Sequence, residues 1–263
     1  MRRPLLLAAA TALLCAGCAA SGDGGKSGAG KATSQPGAPV RAATAALGKD
    51  TARVDQEIEI SGGGEAYVIS VSGGFDFAGD KGRLAVDFPE GGVAHADEVF
   101  ADGRIYFNGA PDLREDSWAA IPRDKAEAHY LLRAPLNDPE HVLRQIAAMR
   151  QVSREGEEKI HGVRTVHYRG TLDNATLMLR AAKDIREQVN QARDILGEDL
   201  PVFADAWIDG HGRLVRTRLT VVLAGAKMTA TMNLSGFGEP VHVTAPKPAD
   251  TVPVGGTSGV LTG

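Results

Sequence analysis

The sequence has almost no cysteine. Its two, Cys15 and Cys18, both fall within the first 18 of 263 residues, so the rest of the chain has no disulfide or thiol chemistry and must draw its stability from packing. Aromatic residues make up only 5% of the chain, the formal net charge is −4, and Lys and Arg form no cluster of the kind that marks a nucleic-acid surface. Beyond the first residues, no apolar run reaches the ~18 needed to cross a bilayer. Enzyme signatures are missing too: the chain contains no G-x-S-x-G, S-x-x-K or H-E-x-x-H pattern. Gly25, Gly30 and Lys31 approach phosphate-loop spacing, but Ala32 stands where a magnesium-binding hydroxyl belongs and no strand precedes it.

The titratable residues are just as dispersed. His95, His129, His141, His161, His167, His211 and His242 are scattered through turns, strands and helices and read as solvated surface groups. His161 and His167 are six strand residues apart, about 20 Å, which is too far to share a metal. Asp205 and Asp209 flank Trp207 at about 13 Å, beyond the separation of paired glycosidase acids, and the three read as a polar outer strand face carrying one amphipathic ring. No catalytic residue, metal or cofactor is expected.

What the chain does have begins at its N-terminus. Arg2 and Arg3 precede the apolar run Leu5 to Leu14, a signal-sequence core too short to span a membrane. Ala16 and Gly17 directly before Cys18 resemble a bacterial lipobox, with Cys15 departing from the usual aliphatic residue. Residues 1–17 are therefore expected to be a lipoprotein signal peptide and Cys18 the lipidated first residue of the mature protein. Residues 18–39 are rich in Gly, Ser, Ala and Lys, cannot bury enough surface to fold, and read as a tether with a root-mean-square reach of about 25 Å.

From residue 40 the hydrophobic period alternates between 3.6 and 2. Val40, Ala43, Thr44 and Leu47 share one face of a short helix, with Gly48 as its stop. Strands follow over 51–60, 65–77, 82–88, 96–101, 104–108 and 117–121, with Asp102-Gly103 as a hairpin signal. Trp118 is expected in the core. Asp138-Pro139-Glu140 opens a helix bearing Val142, Leu143, Ile146 and Met149 on one stripe. A hairpin turns at His161-Gly162, with Val166 and Tyr168 inward. A second helix is expected from Asp173 or Asn174 to Leu196, its apolar stripe formed by Met178, Ala182, Ile185, Val189, Ala192 and Leu196, and with Arg180, Lys183, Glu187 and Asp194 solvated opposite. Three alternating strands complete the pattern: Val202, Ala204, Ala206 and Ile208; Val215, Leu219, Val221 and Leu223; then Met228, Ala230, Met232 and Leu234.

These elements predict an α+β fold: a single curved antiparallel sheet of about ten to eleven strands, a half-barrel wrapped round helices on its concave face. Residues 40–253 form the domain and 254–263 a flexible tail. The inward Met and Ala residues fill a core or line an adaptable cavity.

The lipobox and tether, the segment Gly162-Val163-Arg164-Thr165-Val166-His167-Tyr168-Arg169-Gly170, and Leu200 to Asp209 followed by Gly212-Arg213-Leu214-Val215-Arg216 resemble the LppX and LprG type lipoproteins of actinobacteria, and more distantly the lipoprotein carriers of the Lol system. The resemblance implies a hydrophobic cavity that holds the acyl chains of a lipid or lipoglycan, for carriage or retention at the cell envelope. Its lining would come from Val142, Leu143, Ile146, Met149, Met178, Ala182, Ile185, Val189, Val221, Met228 and Met232. It further implies an extracytoplasmic monomer held by a diacylglyceryl anchor on the outer face of the cell membrane, without nucleic acid, and with any envelope transport partner unidentified. The competing expectation is an anchored envelope scaffold with a solid core. Replacing Cys18 with Ser is expected to release the protein into the medium without unfolding it; fractionation of cells and medium checks this.

Overall fold

In the computed structural model, residues 35–254 are described apart from 63, 89–93, 110–112, 115 and 224. The expected signal sequence, Cys18, the tether as far as residue 34, and the tail beyond 254 lie outside the described residues.

The first helix, α1 (Ala38–Leu47), starts two residues earlier than its apolar period suggests, because Pro39 is pre-set for the first helical turn. It buries Val40, Ala43, Thr44 and Leu47. Thr44 can enter the core because its hydroxyl donates to the carbonyls of Val40 and Arg41, both at 3.0 Å. Six strands follow in a meander: β1 (Thr51–Gly62), β2 (Glu65–Asp76), β3 (Lys81–Asp87), β4 (His95–Ala101), β5 (Arg104–Phe107) and β6 (Trp118–Pro122). Asp102 (φ 53°) and Gly103 (φ 68°) make the β4–β5 turn, a left-handed pair that Asp-Gly supplies at low cost.

The chain then crosses through α2 (Pro139–Ala147) to a hairpin of β7 (Arg150–Ile160) and β8 (Val163–Leu172). After α3 (Asn174–Leu177) and α4 (Lys183–Leu196), it returns through β9 (Val202–Asp209), β10 (Leu214–Leu223) and β11 (Ala226–Ser235). With a last short strand, β12 (Thr251–Pro253), the result is one open curved sheet of 12 strands in the order β12-β6-β5-β4-β3-β2-β1-β11-β10-β9-β8-β7. Neighbours are antiparallel except at one edge, where β12 runs parallel to β6. This edge strand is the one the sequence does not signal: three residues in a Pro-rich segment carry no readable alternation.

One large core unites the inward faces of the strands with α1 and α2. Phe75 and Phe100 meet edge to face at 5.2 Å, and Phe75 lies 4.9 Å from Phe77. Gly73 exists because its neighbour leaves no room: a Cβ there would lie 2.0 Å from the carbonyl oxygen of Arg83.

Three expectations need correction. The second long helix is broken. Arg180 takes φ 54°, and the residues after α3 bond to a distant segment, with Ala128 donating to the Arg180 carbonyl and Ala182 to the Ala128 carbonyl, both at 2.8 Å. The apolar period runs on across this break, so spacing alone conceals it. Val215 turns outward, because a bulge between Leu214 and Arg216 gives its inward place to Leu214. Trp118 also faces outward: it is half-buried against Val99, Tyr106 and Ala120, with Val243 and Ala245 nearby, and does not join the main core.

Candidate functional site

Alternation along four adjacent strands, β2, β1, β11 and β10, builds the central feature of the concave side. Midway along them Ile58, Val71, Met232 and Leu219 are 1% exposed. Towards one end of the same strands the inward residues Ile69, Ile60, Met228 and Leu223 become half-buried together. Register sets Ile60 between Tyr67 and Met228, and Met228 opposite the buried Val221; Ile69 lies one inward row deeper, opposite Ile58, and Leu223 one inward row further out, opposite Ala226. Phe88, just past the end of β3 and next in register to Ile69, is half-buried at this end as well, and Met178, just past α3, is half-buried against the core. This is an apolar mouth. Large apolar groups remain exposed, between 39% and 85%: Tyr67 on the inward parity of β2, Val68 and Phe203 on the outward parity of β2 and β9, and Ile195 and Leu196 at the end of α4.

Of the eleven residues expected to line a cavity, ten belong to the main core or pack against it, and Ala182 is buried outside that cluster. Met228 is at the mouth, and Met178 is half-buried against the core. Val221, opposite Met228, is buried, Met232 lies further in along β11, and Val142, Leu143 and Ile146 from α2, with Met149 just past it, are buried in the same core. Ile185 and Val189 are the buried face of α4, and Ala182 is buried at its N-cap.

The interior also contains polar chemistry that sequence reading missed. Glu98 sits on the inward parity of β4, between Ala96 and Phe100, and is fully buried. Asn137 Nδ2 donates to its Oε1 at 2.9 Å, and Arg133 Nε donates to Asn137 Oδ1 at 3.0 Å. Burial pushes the Glu98 carboxyl up to about 8, against the opposing pull of Arg133. Burial likewise lowers the Arg133 guanidinium, which stacks over the rings of Phe88 and Tyr130 at 5.4 and 5.8 Å.

Next to this chain, Asp138 does more than cap α2 through the Glu140 amide (3.1 Å). It receives Arg123 in a fork, Nε to Oδ2 at 2.9 Å and Nη2 to Oδ1 at 2.7 Å, and Arg180 at 3.4 Å. Arg180 also donates to the carbonyls of Ala126 and Arg123. It is therefore an interior tie between the broken helix and the crossover, and not a solvated surface charge as expected. His141 is buried too, and burial lowers its pKa to about 4, so it is neutral at physiological pH. For Glu98 the missed signal was position, a polar residue on an otherwise apolar face; Arg180, on the face opposite the apolar stripe, gave none.

The convex face corrects a second expectation. Asp205, Trp207 and Asp209 are nearly fully buried. Trp207 stacks flat on His167 at 4.4 Å, donates through Nε1 to Glu158, and lies beneath Arg218 at 5.3 Å. The cause is crowding of long side chains on neighbouring strands over a face that alternation marks as polar. Asp205 and Asp209 act separately, as their spacing requires: Asp205 pairs with His167 Nε2 at 2.7 Å, and Asp209 accepts from the His211 and Arg213 amides at 2.8 and 2.9 Å. The other ring nitrogen of His167 faces Glu158 at 3.4 Å. With a carboxylate at each nitrogen, this histidine is not placed to activate a hydroxyl. A polar groove of about 700 Å³ adjoins the cluster, lined by Glu57, Arg169, Arg216, Arg218, Thr231 and Asn233 among others. Among the described residues no group of three or more His, Cys, Asp or Glu is placed to hold a metal, and no helix is long and apolar enough to cross a membrane.

The sequence pattern of the LppX_LprAFG lipoprotein family matches residues 76–243. An uncharacterized 31.2 kDa protein in the rplA-rplJ intergenic region of Streptomyces griseus is 27% identical over 116 residues, a match that spans 43% of this chain and 38% of that relative. Among solved structures, LprF from Mycobacterium bovis is 15% identical with a TM-score of 0.47, over 80% of this chain and 96% of its own. LppX from Mycobacterium tuberculosis is 14% identical with a TM-score of 0.44, over 80% and 98% respectively.

The buried acid makes stability depend on pH. Glu98 keeps its proton in the folded state up to about pH 8, whereas the unfolded chain releases it near the ordinary 4.5, so its contribution is complete below 4.5 and is lost as pH rises to 8. His141 acts on the other side, losing stability as pH falls from 6.5 towards 4. Between pH 6.5 and 8 Glu98 therefore contributes a fall of about 1.4 kcal/mol per pH unit. Urea unfolding across this window is expected to show that slope in the parent and its loss in Glu98→Gln; a slope that persists in the variant assigns it to other groups.

Proposed function

The chain belongs to the LppX_LprAFG lipoprotein family, and from that premise we propose that it is a membrane-anchored, extracytoplasmic lipoprotein that holds the acyl chains of a lipid or lipoglycan inside its half-barrel, for carriage or retention at the cell envelope. The observation that carries this reading is the apolar mouth, where Ile60, Ile69, Met228 and Leu223 lose burial towards one end of strands whose inward side chains are fully buried midway. Each methylene moved from water into such a site contributes about 0.8 kcal/mol. No cofactor and no covalent step are needed. Cys18 would supply the diacylglyceryl anchor, and the tether would let a monomeric domain bring its mouth to the outer face of the membrane and turn away.

The tight packing midway along the strands favours a second reading, an anchored envelope scaffold whose core admits no ligand. The two readings differ in how the interior behaves when chains are offered. Met228, Met232, Met149 and Met178 are unbranched and can change rotamer to make room, as a carrier requires and a scaffold does not.

Incubation with phosphatidylglycerol vesicles carrying a pyrene-acyl lipid, followed by separation, distinguishes them. The full chain is expected to retain about one labelled lipid per molecule. Met228→Arg, which puts a charge in the mouth, is expected to lower uptake at least tenfold with unchanged thermal unfolding. A parent protein that takes up no label would establish the scaffold reading.

A further inference from the structure

Gln56 and Thr217 face the interior from β1 and β10 with one side chain between them: Met232 of β11 is the register partner of both. Gln56 is 2% exposed and Thr217 0%. Among the described residues neither Nε2 nor Oε1 of Gln56, nor Oγ1 of Thr217, has a hydrogen-bond partner. Their neighbours on the same face are apolar: Val54 and Ile58 along β1, Leu219 along β10, and Val71 and Ala206 across the sheet.

An amide brings two donors and an acceptor, and a hydroxyl brings one donor and two acceptor lone pairs. Buried groups of this kind nearly always have partners in native proteins. Two of them without partners, on one face and about 10 Å apart across two strand spacings, mark a place where something polar is missing from an otherwise apolar surface. Thr44 shows the contrast, since its buried hydroxyl is met by its own helix.

Depth decides what that partner is. Gln56 lies four residues along β1 from Ile60 at the mouth, about 13 Å. The headgroup of a lipid whose chains fill the interior stays at the mouth, so a polar group at Gln56 belongs to the chain itself. Resting on the lipid-binding reading above, we propose that Gln56 and Thr217 form an internal polar subsite that recognises a hydroxyl or carbonyl carried part-way along an acyl chain, with Met232 swinging aside to admit it. Gln56 can donate to either oxygen function and also accept from a hydroxyl; Thr217 can do the same from across Met232. Val71 and Ala206 to either side offer nothing to an oxygen, so the selectivity is local to one row of the sheet.

Three matched fatty acids test this with the purified full chain by calorimetry: stearate, 2-hydroxystearate, whose hydroxyl stays at the mouth, and 12-hydroxystearate, whose hydroxyl reaches this depth. The parent is expected to bind 12-hydroxystearate about tenfold more tightly than the other two, a factor in keeping with one or two satisfied hydrogen bonds. Gln56→Leu and the isosteric Thr217→Val are each expected to lower that ratio towards one while leaving stearate affinity within about twofold. Equal affinity of the parent for all three, or an undiminished ratio in both variants, overturns the subsite and leaves the lipid-binding reading standing. Failure of the parent to bind any of them removes that reading and the subsite with it.

Discussion

The antiparallel pairing of β1 with β11, from Arg53 opposite Ser235 to Ser61 opposite Lys227, is the contact on which the rest of the structure depends. Six consecutive strands extend from β1 towards one edge, and five run from β7 at the other edge back to β11, so this single pairing makes two meanders into one sheet. It joins residues some 180 positions apart in the chain, a non-local contact that must be made against a large loss of chain freedom. It also sets Ile60 beside Met228 and Gln56 beside Met232, so the mouth and the internal polar row are both products of its register. A shift by one residue would turn these side chains to the wet face.

The crossover between the two meanders is held by charge as well as by apolar packing. Arg123 and Arg180 converge on Asp138 at the start of α2, and Arg123 also reaches Asp80 at 2.6 Å. Removing one member of a buried pair typically costs about 3–5 kcal/mol, because the other is left charged and alone. The network therefore fixes where α2 enters the interior, in addition to its buried stripe of Val142, Leu143 and Ile146. The left-handed residues Leu136 (φ 44°) and Asn137 (φ 52°) immediately before it are part of the same arrangement, since Asn137 bridges Arg133 and Glu98.

Much of this fold was legible because period and burial coincide. The four residues read as the inner face of α1 are the four that are buried, and the capping acid, proline and stripe of α2 are as expected. Where reading failed, the physical cause was tertiary. Arg180 leaves the helix because Ala128 offers its backbone another partner; Val215 is turned by a bulge that no local residue announces; Trp207 is covered by side chains from adjacent strands. The site was legible as a set of apolar residues and not as a mouth with a polar interior. Glu98 between Ala96 and Phe100, and Gln56 between Val54 and Ile58, break the apolar parity of their strands. A polar residue on a core-facing position can be a register error or a site until the pairing is known, and only the sheet order shows that both point inward.

Native mass spectrometry of the protein released from bacterial membranes under mild conditions tests most directly whether the half-barrel holds lipid. If it does, the protein carries an extra mass beyond that of the polypeptide and any covalent modification, uniform in stoichiometry at one per chain, which collisional activation removes as an intact acyl lipid. A mass equal to that of the covalent chain alone, unchanged after incubation with envelope lipids, would contradict lipid binding and leave the fold as a solid scaffold.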